Sequence, residues 1–382
     1  MAFPDHLLDD SHLAFRESAK RFAADFIAPH AFEWEEAEHF PDTLFREAGS
    51  QGLLGVGFPE HVGGSGDMLH VMMTAEGLLT GGSSGVVAGL GTLGIALPPL
   101  LNLGDDAQLD RVVRPCIAGE RIAALAVTEP NAGSDVAGIQ TTARPDGDDY
   151  VINGSKTFIT SGVRADFVIT LCRTGEDPHG GLTFFIVEKD TPGFATSRSL
   201  KKTGWRASDT AELVYDEVRV PAANRIGPEG SGFLAVMQNF QSERLLLASY
   251  GHASADIAYQ EALAYAQERT AFGRPIAGFQ VTRHKLAHMA TRVLASRTLN
   301  YTLAQRVSSG ETLITEVSMA KNLAADTAVE VCYDAVQILG GMGYMRESLV
   351  ERLSRDVRIL PIGGGTSEIM NEIISKQLLQ AR

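Results

Sequence analysis

One carboxylate interrupts an otherwise apolar helical stripe. In the helix-forming stretch that begins near Ser231, positions 236, 240, 243, 247 and 250 recur at steps of four and three, so they share one face. They read Val236, Phe240, Glu243, Leu247 and Tyr250. A carboxyl group among apolar neighbours loses hydration of its charged form. That raises its pKa and suits it to take a proton near neutrality. The competing reading is an ion pair with a basic side chain across a helix bundle, and the pattern alone leaves both open.

Three further segments carry groups that could hold a ligand. Leu125-Ala-Val-Thr-Glu-Pro-Asn-Ala-Gly-Ser-Asp135 places hydroxyls at Thr128 and Ser134 around a Pro–Gly turn, able to hydrogen-bond a heterocycle or simply to form an elaborate turn. Phe158-Ile-Thr-Ser161 alternates an aromatic ring with hydroxyls, and the ring can stack on a planar ligand or belong to the core. Ile362-Gly-Gly-Gly-Thr-Ser-Glu368 opens the last helical stretch. Its glycines permit close backbone approach and its helix N-terminus favours an anion such as pyrophosphate, although a flexible inter-helix loop would look the same. A second glycine break, Gln337-Ile-Leu-Gly-Gly-Met-Gly343, follows a long helix as a cap would.

Other matches lack their context. Gly89-Leu-Gly-Thr-Leu-Gly94 fits a dinucleotide fingerprint, but Pro98-Pro99 breaks the required helix and no βαβ repeat follows. Gly81-Gly-Ser-Ser-Gly85 fits a nucleophile elbow but lies between helical segments, where a tight turn is expected. His284 and His288 stand one turn apart without a carboxylate between them, and read as a solvated face.

The elements that must position these groups change period twice. Residues 1–120 read as helical: Leu13–Ala31, Pro41–Gly52 and Asp106–Ala118. Residues 121–230 read as β, with an Asn153-Gly154 hairpin turn and strands over Asp166–Arg173, Gly181–Lys189 and Ala211–Val220; such short, close strands predict an antiparallel barrel or sandwich. Residues 231–382 read as an antiparallel four-helix bundle: Ser231–Thr270, Gln280–Ser309, Glu311–Leu339 and Thr366–Gln380. The expectation is a multi-domain α+β chain. The 382 residues, at roughly 150 per domain, agree with two or three units. Hydrophobic residues at 44% and charged residues at 21% exclude fibres and disorder. A net charge of −14 argues against nucleic acid. Cys116, Cys172 and Cys332 are too dispersed for a disulfide framework or thiolate metal site. The acidic start, MAFPDHLLDD, predicts a cytoplasmic protein, and the uncharged stretch from Gly77 to Gly104 is so broken by glycine and proline that buried core is expected rather than membrane insertion.

Taken together, VTEPNAGSD (127–135), FITSG (158–162), ERTAFGRPI (268–276), QILGGMGY (337–344) and GGGTSEI (363–369) resemble the acyl-CoA dehydrogenase family, in its order and spacing. The resemblance implies FAD and α,β-dehydrogenation of an acyl-CoA thioester to the trans-2-enoyl-CoA. It implies electrons passing on to an electron-transfer flavoprotein, and a homotetramer built as a dimer of dimers. It places Val127, Thr128, Phe158 and Thr160 around the flavin, with Ser134 beside cofactor and CoA. Arg269, Phe272, Gln280, Gln337 and Gly341 would meet the FAD of a neighbouring subunit, and Thr366 and Glu368 would lie near the FAD diphosphate and adenosine. Arg244 and Gly364 fall beside the substrate. Most members carry the catalytic Glu at the position of Gly364. A branch resembling isovaleryl-CoA and long-chain acyl-CoA dehydrogenases places it on the first bundle helix before an Arg, and Glu243-Arg244 fits that placement, making Glu243 the expected catalytic base. The family often has Asp where Gln241 stands. An oxidase on the same fold and a catalytically silent acyl-CoA-binding protein are the alternatives. The small residues Gly85, Ala88, Gly89, Gly91 and Gly94 are expected to leave room for a long or branched acyl tail.

Overall fold

The computed structural model describes residues 5–380. Helices Asp10–Phe22 and Met68–Leu79 pack on each other in the N-terminal part. Each starts the same way. Asp9 and Asp67 are the N-caps, accepting N–H groups of the first turn, while His12 and His70, three residues on, fold back to the cap. Short helices Ser84–Leu90, Leu93–Ala96 and Pro98–Leu103 follow, their side chains largely buried. Ser83 caps the first of them, accepting from Val86 N at 3.2 Å and donating to Glu35 Oε1 at 2.7 Å, so the Gly81–Gly85 segment is a helix cap. No single helix among the described residues is long and apolar enough to cross a membrane.

The middle of the chain forms one eight-stranded sheet: β1 (Ala123–Ala126), β2 (Thr142–Asp146), β3 (Asp149–Thr160), β4 (Phe167–Arg173), β5 (Leu182–Glu188), β6 (Phe194–Ser199), β7 (Thr210–Pro221) and β8 (Arg225–Ile226). The order is β6-β7-β3-β2-β4-β5-β8, with β1 alongside β4. Pairing is antiparallel except at β1/β4 and the single β2/β4 contact Thr142–Arg173, which are parallel. Strands β4 and β5 read as unbroken apolar runs because both faces are covered. Val168, Cys172, Phe185 and Val187 point into a core enclosed by the sheet itself, whereas Ile169, Leu171, Phe184 and Ile186 face the core shared with the helices. Asn153-Gly154 is not a hairpin turn. It lies inside β3 at a register shift against β7, where Gly154 has φ +149° and a Cβ would stand 2.5 Å from Thr141 Oγ1. The turn between β2 and β3 is Gly147-Asp148, bracketed by the pair Asp146–Asp149. Glycine serves close approach in one place and chain reversal in the other.

The C-terminal part is built on three long packed helices, Gly232–Glu268, Gln280–Ser308 and Ile314–Leu339. The last helix, Ser367–Gln380, lies on the third, and Leu349–Asp356 is an additional short one. A two-strand ribbon around Phe272-Gly273 joins the first two long helices. All three cysteines are buried, and burial pushes their thiols upward, that of Cys172 to about 12.

Candidate active site

The first bundle helix presents the predicted face. Val236 and Tyr250 are buried, and Phe240, Glu243 and Leu247 are half-buried. Burial raises the Glu243 carboxyl to about 7, while Arg244 and Lys321 pull it down. Among the described residues no Arg from a facing helix pairs with it. Among the described residues the carboxylate has no hydrogen-bond partner, which leaves its oxygens available. Arg244, 6% exposed, lies with its guanidinium 5.1 Å from the centre of the Phe240 ring.

Opposite Glu243 runs the loop Gly363–Thr366. Gly364 has φ +62°, and a Cβ built on it would stand 3.6 Å from Glu243 Oε1 and 2.3 Å from Leu247 Cδ1. The two chain positions at which a carboxylate is expected therefore converge on one point in space, and Leu247 blocks the loop position. Gly365 carries the loop onward at φ +94°, and its carbonyl accepts a 2.6 Å hydrogen bond from Lys321 Nζ. Lys321 comes from the third bundle helix and is 1% exposed; burial and Arg244 lower its ammonium to about 8, against the pull of Glu243. Sequence reading missed it, although it bears the same signature as Glu243: Ile314, Val317, Lys321, Ala324 and Ala328 form an apolar stripe with one charge. Gln241 is engaged elsewhere, its amide oxygen accepting from Leu313 N at 3.0 Å at the joint between bundle helices.

One and two helical turns beyond Glu243, Leu246 and Tyr250 line an apolar cavity of about 70 Å³ with Phe58, Thr74, Leu78 and Gly94. The expected room over the small residues is mostly taken by protein. A Cβ on Gly85 would meet Glu35 Oε1 at 2.7 Å, one on Gly89 the Phe40 ring at 2.6 Å, and one on Gly91 the Tyr250 hydroxyl at 2.5 Å. Those glycines permit close packing; Gly91 and Gly94 both line the cavity, but of the two only Gly94, with Leu246 Cδ2 nearest at 3.9 Å, has room for a Cβ.

In the middle domain Thr157 N donates to Thr128 O at 2.9 Å, which ties the Val127–Thr128 segment to the strand carrying Phe158 and Thr160. A buried ion pair, Lys156 Nζ to Glu129 Oε1 at 2.8 Å, braces the same junction; Lys156 also donates to Val127 O at 2.9 Å. Phe158 has φ +60° within its strand and is 68% exposed, so the backbone turns a phenyl ring outward. Ser134 is exposed on its loop. Thr366 opens the last helix, its hydroxyl accepting from Ile369 N at 3.2 Å, and Glu368 is exposed in the first turn.

Arg269, Phe272, Gln280, Gln337 and Gly341 do not join Glu243. Arg269 caps the far end of the same helix, roughly 40 Å away at 1.5 Å per residue. All five are exposed, and Phe272 and Gln337 line a separate cavity of about 330 Å³.

Three family models cover this architecture: the N-terminal, middle and C-terminal domains of acyl-CoA dehydrogenase match residues 9–120, 124–218 and 230–379. The chain is 40% identical to an acyl-CoA dehydrogenase of Bacillus subtilis (strain 168) over 95% of this chain and 97% of that one. It is 37% identical to the mitochondrial long-chain specific acyl-CoA dehydrogenase of Sus scrofa over 98% and 87%. A crystal structure of a probable acyl CoA dehydrogenase from Mycobacterium abscessus superposes with a TM-score of 0.96, at 51% identity, covering 97% of this chain and 100% of that one. With each domain matched in order, the chain belongs to the acyl-CoA dehydrogenase family, FAD-dependent oxidoreductases that act on CH–CH groups.

Proposed function

We propose that the protein converts an acyl-CoA thioester to the trans-2-enoyl-CoA with Glu243 as the base that removes the α-proton. The observation that carries this is the Glu243 carboxyl itself, raised to about 7, unpartnered, and facing the loop position Gly364. A base of that pKa is substantially ionised at neutrality yet basic enough to accept a proton from carbon made acidic by an adjacent thioester. Arg244 and Lys321 supply positive charge beside the reacting region, favouring a ligand in which negative charge develops. The Lys321–Gly365 bond fixes the loop so that its backbone N–H groups can be aimed at a thioester oxygen.

The residues present fit FAD. Phe158 offers an outward ring in a strained backbone, the Thr128 and Thr160 hydroxyls lie on the adjoining segments, and the positive-φ pair Gly364-Gly365 brings bare backbone to a helix N-terminus. When bound, FAD supplies the hydride acceptor. The protein's own part is to hold the thioester between Glu243 and that acceptor, to place the tail along Leu246 and Gly94 toward Thr74 and Phe58, and to exclude water there.

An apolar tail is supported by this cavity and by the pig relative's long-chain specificity. Electrons leave to an electron-transfer flavoprotein, as the resemblance implies. The exposed set Arg269, Phe272, Gln280, Gln337 and Gly341 meets the cofactor of a second copy within a homotetramer; its distance from Glu243 supports this reading. The deciding experiment is anaerobic addition of acyl-CoAs of graded length to the purified flavoprotein, with Glu243→Gln in parallel. Bleaching of the wild-type flavin and none in a variant that still binds acyl-CoA is expected; equal bleaching in both rejects Glu243.

A further inference from the structure

Where β1 runs into its loop, one buried cation decides which way a peptide faces. Strand β3 carries Lys156 and Phe158 two residues apart, and a regular strand would turn both to the same side. Here they diverge. Lys156 is fully buried and Phe158 is exposed, because the pairing of β3 with β7 slips between Lys156 and Ile159 and Phe158 takes φ +60°. The irregularity sends an ammonium into the domain and a phenyl ring out of it.

Inside, Lys156 Nζ donates to Val127 O at 2.9 Å and to Glu129 Oε1 at 2.8 Å. The Glu129 carboxylate also accepts from Thr141 N at 2.9 Å and from Gln140 N at 2.7 Å, so it ties the end of the loop between β1 and β2 back to its beginning. A carboxylate that accepts three N–H bonds is held ionised, and it compensates the ammonium in the interior. The neighbouring backbone groups are engaged as well. Thr128 O accepts from Thr157 N at 2.9 Å, Glu129 N donates to Ala132 O at 2.9 Å, and Glu129 O accepts from Ala132 N at 3.1 Å. Of the backbone polar groups of Thr128 and Glu129, the Thr128 N–H alone has no partner among the described residues.

The C=O and N–H of a trans peptide point in opposite directions. With the Val127 carbonyl drawn inward to Lys156, the N–H of the same peptide, which belongs to Thr128, faces outward. Thr157, whose N–H holds Thr128 O, directly precedes Phe158, so the free donor and the outward ring border one spot. We infer that Lys156, with Glu129 as its counter-ion, is a positioning residue for the flavin: it fixes the Val127–Thr128 peptide so that the Thr128 N–H meets an acceptor atom of the ring system beside Phe158. This role depends on FAD lying there, as proposed above. A donor at such an atom favours the electron-rich, reduced ring, so the ion pair acts on the flavin potential as well as on affinity.

The test uses the purified holoenzyme. Hydrogen–deuterium exchange with residue-level fragmentation should show the Thr128 amide slowed by bound FAD and fast once the flavin is stripped. Equal exchange in the two states overturns the inference without recourse to any variant. Lys156→Met/Glu129→Gln removes the donor and its counter-ion together and leaves no lone charge in the interior. It should weaken FAD binding about tenfold, the order of one lost hydrogen bond, and move the flavin midpoint potential to a more negative value. Lys156→Gln, which still offers an N–H, should fall between this variant and wild type. A folded double variant with wild-type FAD affinity, visible spectrum and potential overturns the assignment and leaves a brace for the loop. A lowered melting temperature with those three unchanged does the same. Wild type that purifies without flavin and binds none rejects the FAD reading itself, and this role with it.

Discussion

The two ends of the first bundle helix are opposites. Around Glu243, groups from three elements converge: the Arg244 side chain from the same helix, the Lys321 side chain from the third, and the Gly364 backbone from the loop before the last. Around Arg269 the expected residues stay at the surface, where Phe272 and Gln337 line a separate cavity. Phe272 is 95% exposed, and Gln280, Gln337 and Gly341 stand open beside it. A base must be desolvated by its own chain to acquire its pKa, so its surroundings are complete in one copy. An exposed aromatic with polar neighbours is half of a surface, and becomes a binding site only when something covers it. One helix thus carries a finished site and an unfinished one.

The largest effect should come from the finished end. Glu243→Gln should lower kcat by about 10² to 10⁴-fold, the usual worth of a positioned general base, while acyl-CoA binding by titration stays within a few-fold. A loss smaller than tenfold would mean that the convergence around Glu243 is structural.

The pH profile sharpens the same end. Glu243 must be ionised to act and its pKa is raised to about 7, so kcat/KM should rise with pH by about tenfold per unit below that value and level off above it. Lys321 lowers the pKa of Glu243, so Lys321→Met should move this limb to higher pH. A limb that stays in place in the variant would show that Lys321 serves only the loop.

Next is the cavity. Gly94→Val places a branched side chain where Leu246 is 3.9 Å from the built Cβ, and should cut kcat/KM for long acyl chains about tenfold, the range for a few methylenes in an apolar pocket, while sparing short ones. Equal loss across lengths would show that the tail runs elsewhere. The smallest effect on chemistry should come from the far end. Phe272→Ala should leave the rate of flavin bleaching at high protein concentration within about threefold, yet promote dissociation of the assembly on dilution, as removal of a buried aromatic anchor does. Mass photometry would read this, and an unchanged assembly would break the comparison.

The desolvated surroundings of Glu243 were legible because the helical period sets one carboxylate in an apolar stripe. Lys321 carried the same pattern, but its contribution depends on which carbonyl lies across the bundle, and Gly365 is 44 residues away. The glycines at 85, 89 and 91 misled. Composition shows a missing side chain and does not show what fills the gap, here Trp205 and Glu35, Phe40 and Tyr250. Asn153-Gly154 misled likewise, because a bulge and a hairpin turn both favour glycine and only pairing with β7 distinguishes them. β1 is four residues long and pairs in parallel with a strand some forty residues on, which leaves almost no local imprint.

The three native thiols suggest a practical use. All are buried, and burial raises their thiols, so the unmodified chain should behave as a cysteine-free background toward maleimides and iodoacetamides. A cysteine introduced at exposed Phe158 would be the one accessible thiol among the described residues, and a small fluorophore there would test the proposed cofactor face without a prior round of cysteine removal.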